Sequence, residues 1–260
     1  MGRCFLARPV TNTQSAWYSL HYLLTRLFPA HENLLFAALL WVLVLMPALA
    51  QTSQVRSVVT FRAINVGTGI ELTLTAGSTQ RVEVSAATDD YRNHIETTVS
   101  NGVLTLRYKN LDERARDDRS NKYLRASVTA DQLTALTAGS GSAVRTSGNF
   151  AATQEFRLDV SSGAAVKANL ATAALTVRQS SGSIIDLSGR AARLDLASSS
   201  GSTFDGEDLK TDHCRAEASS GNSVVKEDLV AEASSGGSVR YYGTPALTKR
   251  TSSGGSVRGR

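Results

Sequence analysis

Apolar and polar positions alternate in short runs through the second half of the chain, and the runs are punctuated by one recurring dipeptide. A glycine preceded by serine stands at Gly141, Gly163, Gly182, Gly201, Gly221, Gly236 and Gly254, at spacings of 22, 19, 19, 20, 15 and 18. Three places after each glycine comes an apolar residue: Val144, Val166, Ile185, Phe204, Val224, Val239 and Val257. Seven and five places before the glycines lie Phe156 and Leu158, Leu175 and Val177, Leu194 and Leu196, Cys214 and Ala216, and Leu229 and Ala231. A period of two is the signature of a strand with one face turned inward. Each repeat therefore reads as strand, Ser-Gly turn, strand, with no helical period between.

The fold class implied is all-β: a right-handed parallel β-helix, or solenoid, in which each repeat forms one coil. A single coil cannot bury its inward face, but coils stacked at about 4.8 Å line equivalent apolar residues into internal ladders. Glycine supplies positive φ at each corner, and the serine before it is expected to bond the next coil through its hydroxyl. An antiparallel meander or sandwich suits the same strand spacing. It would reverse the order of inward positions from strand to strand, whereas here the same offsets recur in one direction.

Residues 51–131 predict a different, β-rich N-terminal cap, ahead of solenoid repeats over 132–260. Ile70, Leu72 and Leu74 alternate, Ala76-Gly77-Ser78 breaks, and Val82 with Val84 alternates again, a hairpin-like pair. Asn101-Gly102 between Thr97-Thr98-Val99 and Val103-Leu104 is a two-residue hairpin signal. Between Arg107 and Arg125, basic and acidic residues mix densely, which predicts an exposed loop over 109–122 projecting from the cap.

Composition adds the export context. Leu34 to Ala50 is an uncharged run ending in small residues before the polar Gln51, so residues 1–50 read as a signal peptide with a long leader, cleaved after Ala50. No membrane span is expected to remain after cleavage. Of 28 basic and 23 acidic residues, 3 and 1 fall in the leader, leaving a nearly balanced +3. Cys4 lies in the leader too, so Cys214 has no internal disulfide partner and packing must supply the stability.

Phe61-Arg62-Ala63-Ile64, Gly69-Ile70-Glu71-Leu72-Thr73-Leu74, Asn101-Gly102-Val103-Leu104, Leu133-Thr134-Ala135-Leu136-Thr137-Ala138-Gly139-Ser140-Gly141 and Tyr242-Gly243-Thr244-Pro245 together carry a resemblance. They resemble the head GIN domain family of autotransporter-like adhesins, across nearly all of residues 55–257. The resemblance implies an exported β-helix with an adhesive or surface-associated role, and it brings no catalytic motif.

Candidate chemistry is sparse. Cys214 with His213 beside it could be a nucleophile and base, but adjacent strand residues face opposite ways, and Cys214 holds an offset occupied elsewhere by Phe156, Leu175, Leu194 and Leu229. A buried hydrophobe is the expectation. Asp205, Glu207, Asp208 and Asp212 cluster near a corner, and stacking could add Glu227 and Asp228. Such carboxylates could ligate Ca²⁺ or act as acid and base on a polysaccharide; a solvated turn balanced by Lys210 and Lys226 is the plainer reading. Tyr241 and Tyr242 could stack on a sugar, or simply occupy a strand. His94 and His213 are too few for a histidine zinc site. Phosphate-binding loops are absent, and the interrupted basic run with export argues against nucleic acid.

The function expected is thus a non-enzymatic, exported adhesin or envelope-binding protein without catalytic, cofactor or metal residues. It would recognise cell-surface glycans or envelope components, in the periplasm, at the outer-membrane surface or outside the cell. The alternatives are a carbohydrate-active β-helix enzyme using Asp205, Asp208 or Asp228, and a purely structural envelope protein.

Overall fold

The computed structural model describes residues 52–109, 122–152, 154–226, 229–243 and 246–259. The expected signal peptide over 1–50, the body of the charged loop, and Glu227, Asp228, Thr244 and Pro245 lie outside the described residues.

Alternation becomes strand where it was expected. After β1 (Thr52–Arg56), β2 (Ala63–Val66) and β3 (Glu71–Ala76) form a coil, followed by β4 (Arg81–Ala86), the short helix α1 (Asp89–Asn93) and β5 (Ile95–Ser100). Then come β6 (Val103–Tyr108), β7 (Arg125–Ala130), β8 (Ala135–Ala138), β9 (Ala143–Ala151) and β10 (Glu155–Val160). The long strands β11 (Ala165–Gln179), β12 (Ile184–Ser199) and β13 (Thr203–Ser219) each contribute to two faces, and β14 (Asn222–Lys226), β15 (Leu229–Ser234), β16 (Ser238–Tyr242), β17 (Leu247–Thr251) and β18 (Ser256–Gly259) finish the stack.

From β8 onward all pairing is parallel, with register shifts between Lys167 and Asn169 and between Asp186 and Ser188, which is a solenoid and not a meander. On one face Ile64, Leu136, Leu158, Val177, Leu196, Ala216 and Ala231 lie over one another. On the other, Leu72, Val144, Val166, Ile185 and Phe204 do the same. All of these are buried in one continuous core. A third inward row was not evident from offsets alone: Val160, Gln179, Ser198, Ala218 and Ala233 align and are buried, although two of them are polar.

Gln179 and Ser198 show how that polarity is accommodated. The backbone fixes the amide orientation, because Phe204 N–H can only donate and Thr203 C=O can only accept. Gln179 Oε1 therefore accepts from Phe204 N at 3.1 Å and from Ser198 Oγ at 2.9 Å, while Nε2 donates to Thr203 O at 3.3 Å. Ser202 Oγ donates to Ser199 O at 2.7 Å. A buried amide left without these partners would cost about 1–3 kcal/mol.

The corners differ from expectation in where the unusual backbone lies. Both residues of the Ser-Gly pair take positive φ, for example Ser162 at 54° and Gly163 at 71°, as do Thr68-Gly69 and Asn101-Gly102. That is the type I′ geometry of tight hairpins. Coils are joined there by backbone: Gly141, Gly163, Gly182 and Gly201 N–H donate to Ser162, Ser181, Ser200 and Ser220 C=O of the next coil at 3.0, 3.0, 3.1 and 2.7 Å. The expected ladder of hydroxyl bonds is represented by Ser220 Oγ donating to Ser235 O at 2.8 Å.

Two sequence expectations are corrected. Val224 was placed inward by its offset from Gly221, but Ser223 aligns with Phe204 and Val239 and is buried, while Val224 is half-exposed. The cause is a corner one residue shorter: Ser220 keeps positive φ, whereas Gly221 does not and sits where Ser202 and Gly237 sit in adjacent coils. Losing one residue from a period-two pattern exchanges the two faces. In the cap, β3 and β4 are not a hairpin, because β7 lies between them, parallel to β3 and antiparallel to β4. The Asn101-Gly102 hairpin between β5 and β6 is present.

The described residues that border 110–121 flank Thr68-Gly69: Tyr108 N–H donates to Thr68 Oγ1 at 3.1 Å, and Glu71 N–H to Leu124 O at 2.9 Å. Lys122 Nζ lies over the rings of Tyr91 and Tyr108, at 5.5 and 4.9 Å from their centroids.

At the C-terminal end, β17 pairs with β15 and β18 with β16, and no described strand covers their outer edges. There the first inward ladder ends in Lys249, which aligns with the buried Ala231 yet is exposed. An inward-register lysine on a free edge is a device against further strand addition.

Two outcomes are expected. In Gly221→Ala the new Cβ would sit 2.5 Å from Ser198 Oγ and 3.0 Å from its carbonyl carbon, so stability should drop by about 1–3 kcal/mol through overpacking. Gly163→Ala meets open space and should lose roughly 1 kcal/mol, from its left-handed φ alone; urea unfolding of both separates crowding from conformation. Lys249→Leu should give concentration-dependent self-association in sedimentation velocity under conditions where the parent is unassociated.

Candidate binding face

The outward residues of β10 to β17 form two rows in register. One row is Arg157, Thr176, Asp195, Arg215, Val230 and Thr248; the next is Asp159, Arg178, Ala197, Glu217, Glu232 and Arg250. Beside them, where the strands run into the corners, stands a row of serines: Ser161, Ser180, Ser199, Ser219, Ser234 and Ser252. The second charged row and the serines line an open groove of about 790 Å³ that runs along the coil axis. The period of the sequence creates it, since each coil contributes the same outward positions to the same line.

The charges on this face answer one another. Arg157 binds Asp159 at 2.6 Å, and Arg215 binds Glu217 at 2.7 Å. Glu232 lies 3.9 Å from Arg215 and 4.0 Å from Arg250. Hydrogen bonds donated to Asp159 and Glu217 hold the Arg157 and Arg215 guanidinium groups above their ordinary basicity. These pairs are exposed and screened by water, so they add little to stability. Their larger effect is to cancel the field: the two rows carry Arg157, Arg178, Arg215 and Arg250 against Asp159, Asp195, Glu217 and Glu232. What remains is a neutral, hydrogen-bonding surface without an aromatic platform.

The acidic cluster is dispersed by the fold. Asp205 neighbours Asp186 across β12 and β13, and Asp186 is engaged by Lys167. Asp205 Oδ1 accepts from Glu207 N–H at 3.1 Å, an Asx-type turn where the register shifts, and Asp208 falls beside Ser188. Asp212 accepts two bonds from Arg190, at 2.8 and 2.9 Å. Among the described residues no group of three or more His, Cys, Asp or Glu side chains could hold a metal ion. His94 meets Tyr108 edge-on with 6.0 Å between centroids, and exposed His213 aligns with Arg193. Tyr241 packs partly against the core at the end of its strand.

Cys214 lies in the ladder of Phe156, Leu175, Leu194 and Leu229 and is 4% exposed. Desolvation, with a smaller contribution from Asp195, pushes its thiol up to about 12 from an ordinary 9.0. A thiol kept neutral in this way is a poor nucleophile. The offsets of the repeat do not single out the serines two places before six of the seven glycines, nor the buried Gln179. Regularity was the signal for the first; for the second, no local pattern marks a polar residue as buried.

The buried thiol has a pH consequence. Because the folded pKa is raised, the stability gained from the neutral form is complete below pH 9.0 and is lost as pH climbs toward 12. Unfolding midpoints of the parent should therefore fall more steeply over that window than those of Cys214→Ala. Native protein at pH 8 should leave an aromatic disulfide reagent unreacted until denaturant is added.

Comparison with known proteins agrees with this architecture. Residues 60–245 match the profile of a family described as putative auto-transporter adhesin, head GIN domain. A search of curated proteins finds no match. Among solved structures, an adhesin-like protein from Bacteroides fragilis aligns with a TM-score of 0.73 and 17% identity, over 82% of this chain and 99% of that one. A similar protein from Parabacteroides distasonis gives 0.64 and 18%, over 80% and 96%, and one from Parabacteroides merdae gives 0.58 and 15%, over 80% and 95%. At these identities the likeness is one of fold. With the profile spanning most of its length, the chain belongs to the head GIN domain family of auto-transporter-type adhesins.

Proposed function

We propose that this protein is an exported, non-enzymatic adhesin that grips an uncharged, hydroxyl-rich partner, a cell-surface or envelope glycan, along the serine-lined groove. The observation carrying this reading is the groove itself: a line of hydroxyls beside charges that are neutralised within their own face. An extended sugar chain lying along the axis would meet repeated serine hydroxyls and charged side chains at a spacing of about 4.8 Å. Each contact is weak, and the gain comes from their number, so affinity should grow with ligand length. A charged partner would first have to break the ion pairs. Catalysis finds little support, because Asp205 and Asp212 are held by local hydrogen bonds, Asp186 beside Asp205 is engaged by Lys167, and Asp208 stands beside Ser188. Among the described residues no helix is long and apolar enough to cross a membrane.

The test is retention on immobilised envelope polysaccharides and oligosaccharide fragments of increasing length. Parent protein should be retained, more strongly on longer fragments. Ser199→Trp with Ser219→Trp, which fills the middle of the groove, should lower retention by about tenfold or more with little change in melting temperature. Retention unaffected by the blocked groove, or absent from every envelope fraction, would remove this reading.

A further inference from the structure

The C-terminal end of the stack has no described strand on its outer side, and its charge differs from the rest of the protein. After Glu232 the sequence contains no acidic residue, while Arg240, Lys249, Arg250, Arg258 and Arg260 follow. Five of the 25 basic residues beyond position 50 thus fall in this terminal stretch, and the remaining 20 face 22 acids. Along the sequence the charge is therefore polarised, a cationic C-terminal stretch following a faintly acidic remainder.

Geometry determines what such an end can meet. Arg240 and Arg258 align on β16 and β18, while Arg250 and Lys249 belong to β17 on the other face of the coil. All four are exposed. They ring the end of the solenoid, so a narrow polymer lying along one face would reach only some of them, whereas a flat surface across the axis meets them together. A second copy docking by the same end would bring like charges together and bury Lys249, which excludes that occupant. Tyr241 and Tyr242, half-buried beside Arg240, add the amphipathic rings suited to a boundary between water and hydrocarbon.

We propose that the terminal coil is a docking surface for the anionic phosphate headgroups of a lipid bilayer, with the solenoid standing on its C-terminal end. This is independent of the glycan reading, since the groove and the end coil use different side chains apart from Arg250. The attraction is electrostatic and confined within about a Debye length, so it is reversible and sensitive to salt.

The experiment is vesicle co-sedimentation with phosphatidylcholine alone and with phosphatidylcholine containing phosphatidylglycerol, at low and physiological salt. The purified protein should bind only the mixed vesicles and release as salt rises. The triple variant Arg240→Gln, Lys249→Gln, Arg258→Gln should bind on the order of a hundredfold more weakly. The charge-matched triple Arg145→Gln, Lys167→Gln, Lys210→Gln, placed away from the end, should stay within about threefold of the parent. Circular dichroism melts identify any misfolded variant, and the single Arg258→Glu then replaces the terminal triple. Equal losses in both triples, undiminished binding of the terminal variant, or binding without dependence on phosphatidylglycerol would overturn the proposal. Capture by a soluble anionic polysaccharide but not by mixed vesicles would overturn it as well. Groove-blocked Ser199→Trp, Ser219→Trp protein should bind vesicles normally, which keeps failure here distinct from failure of the glycan reading.

Discussion

Parallel register is the constraint from which the rest of this protein follows. Because each coil lies over the previous one without offset, a side chain meets its own counterpart above and below, and one decision per position is multiplied along the axis. The interior becomes ladders of Leu, Val and Ile. The exterior becomes equally regular, so a serine needed nowhere in particular for folding becomes, through repetition, a continuous line of hydroxyls. Core and grooved exterior are two outcomes of the same stacking.

Much of this was legible in the sequence because the relevant forces are local and periodic. Alternation at fixed offsets from Ser-Gly identified Phe156, Leu158, Leu175, Val177, Leu194 and Leu196 as inward, and the structure buries all of them. Where the reading failed, the missing information was not local. Val224 was misplaced because counting from a glycine assumes every corner has the same length, and the corner at Gly221 is shorter. The β3 and β4 pair was misread because adjacency in sequence suggests a hairpin, whereas β7, about forty residues further on, reaches in between them. Gln179 gave no sign of burial, since its partners are two backbone groups and one serine hydroxyl of the following coil.

The candidate site was less legible than the fold for a related reason. A pocket enzyme announces itself by unusual residues brought together, but a face made by repetition is assembled from ordinary ones. The acidic cluster and Cys214 carry the most chemistry in the sequence, and the structure ties them into turns, ion pairs and core. The serines along the groove are individually unremarked. Their regular alignment gives them meaning, and the pairing of neighbouring charges decides that the face is neutral.

Repetition also carries a hazard that the buried Gln179 offsets. When every rung resembles the next, a growing stack could engage one coil out of step and still place apolar groups against apolar groups. The backbone groups that Gln179 bonds recur in every coil, but the Ser198 hydroxyl does not, and it makes one alignment better than its neighbours. A chain that threaded itself a rung too far would set the amide against the methyl of Ala218 instead, and that loss gives an otherwise degenerate stack a fixed address.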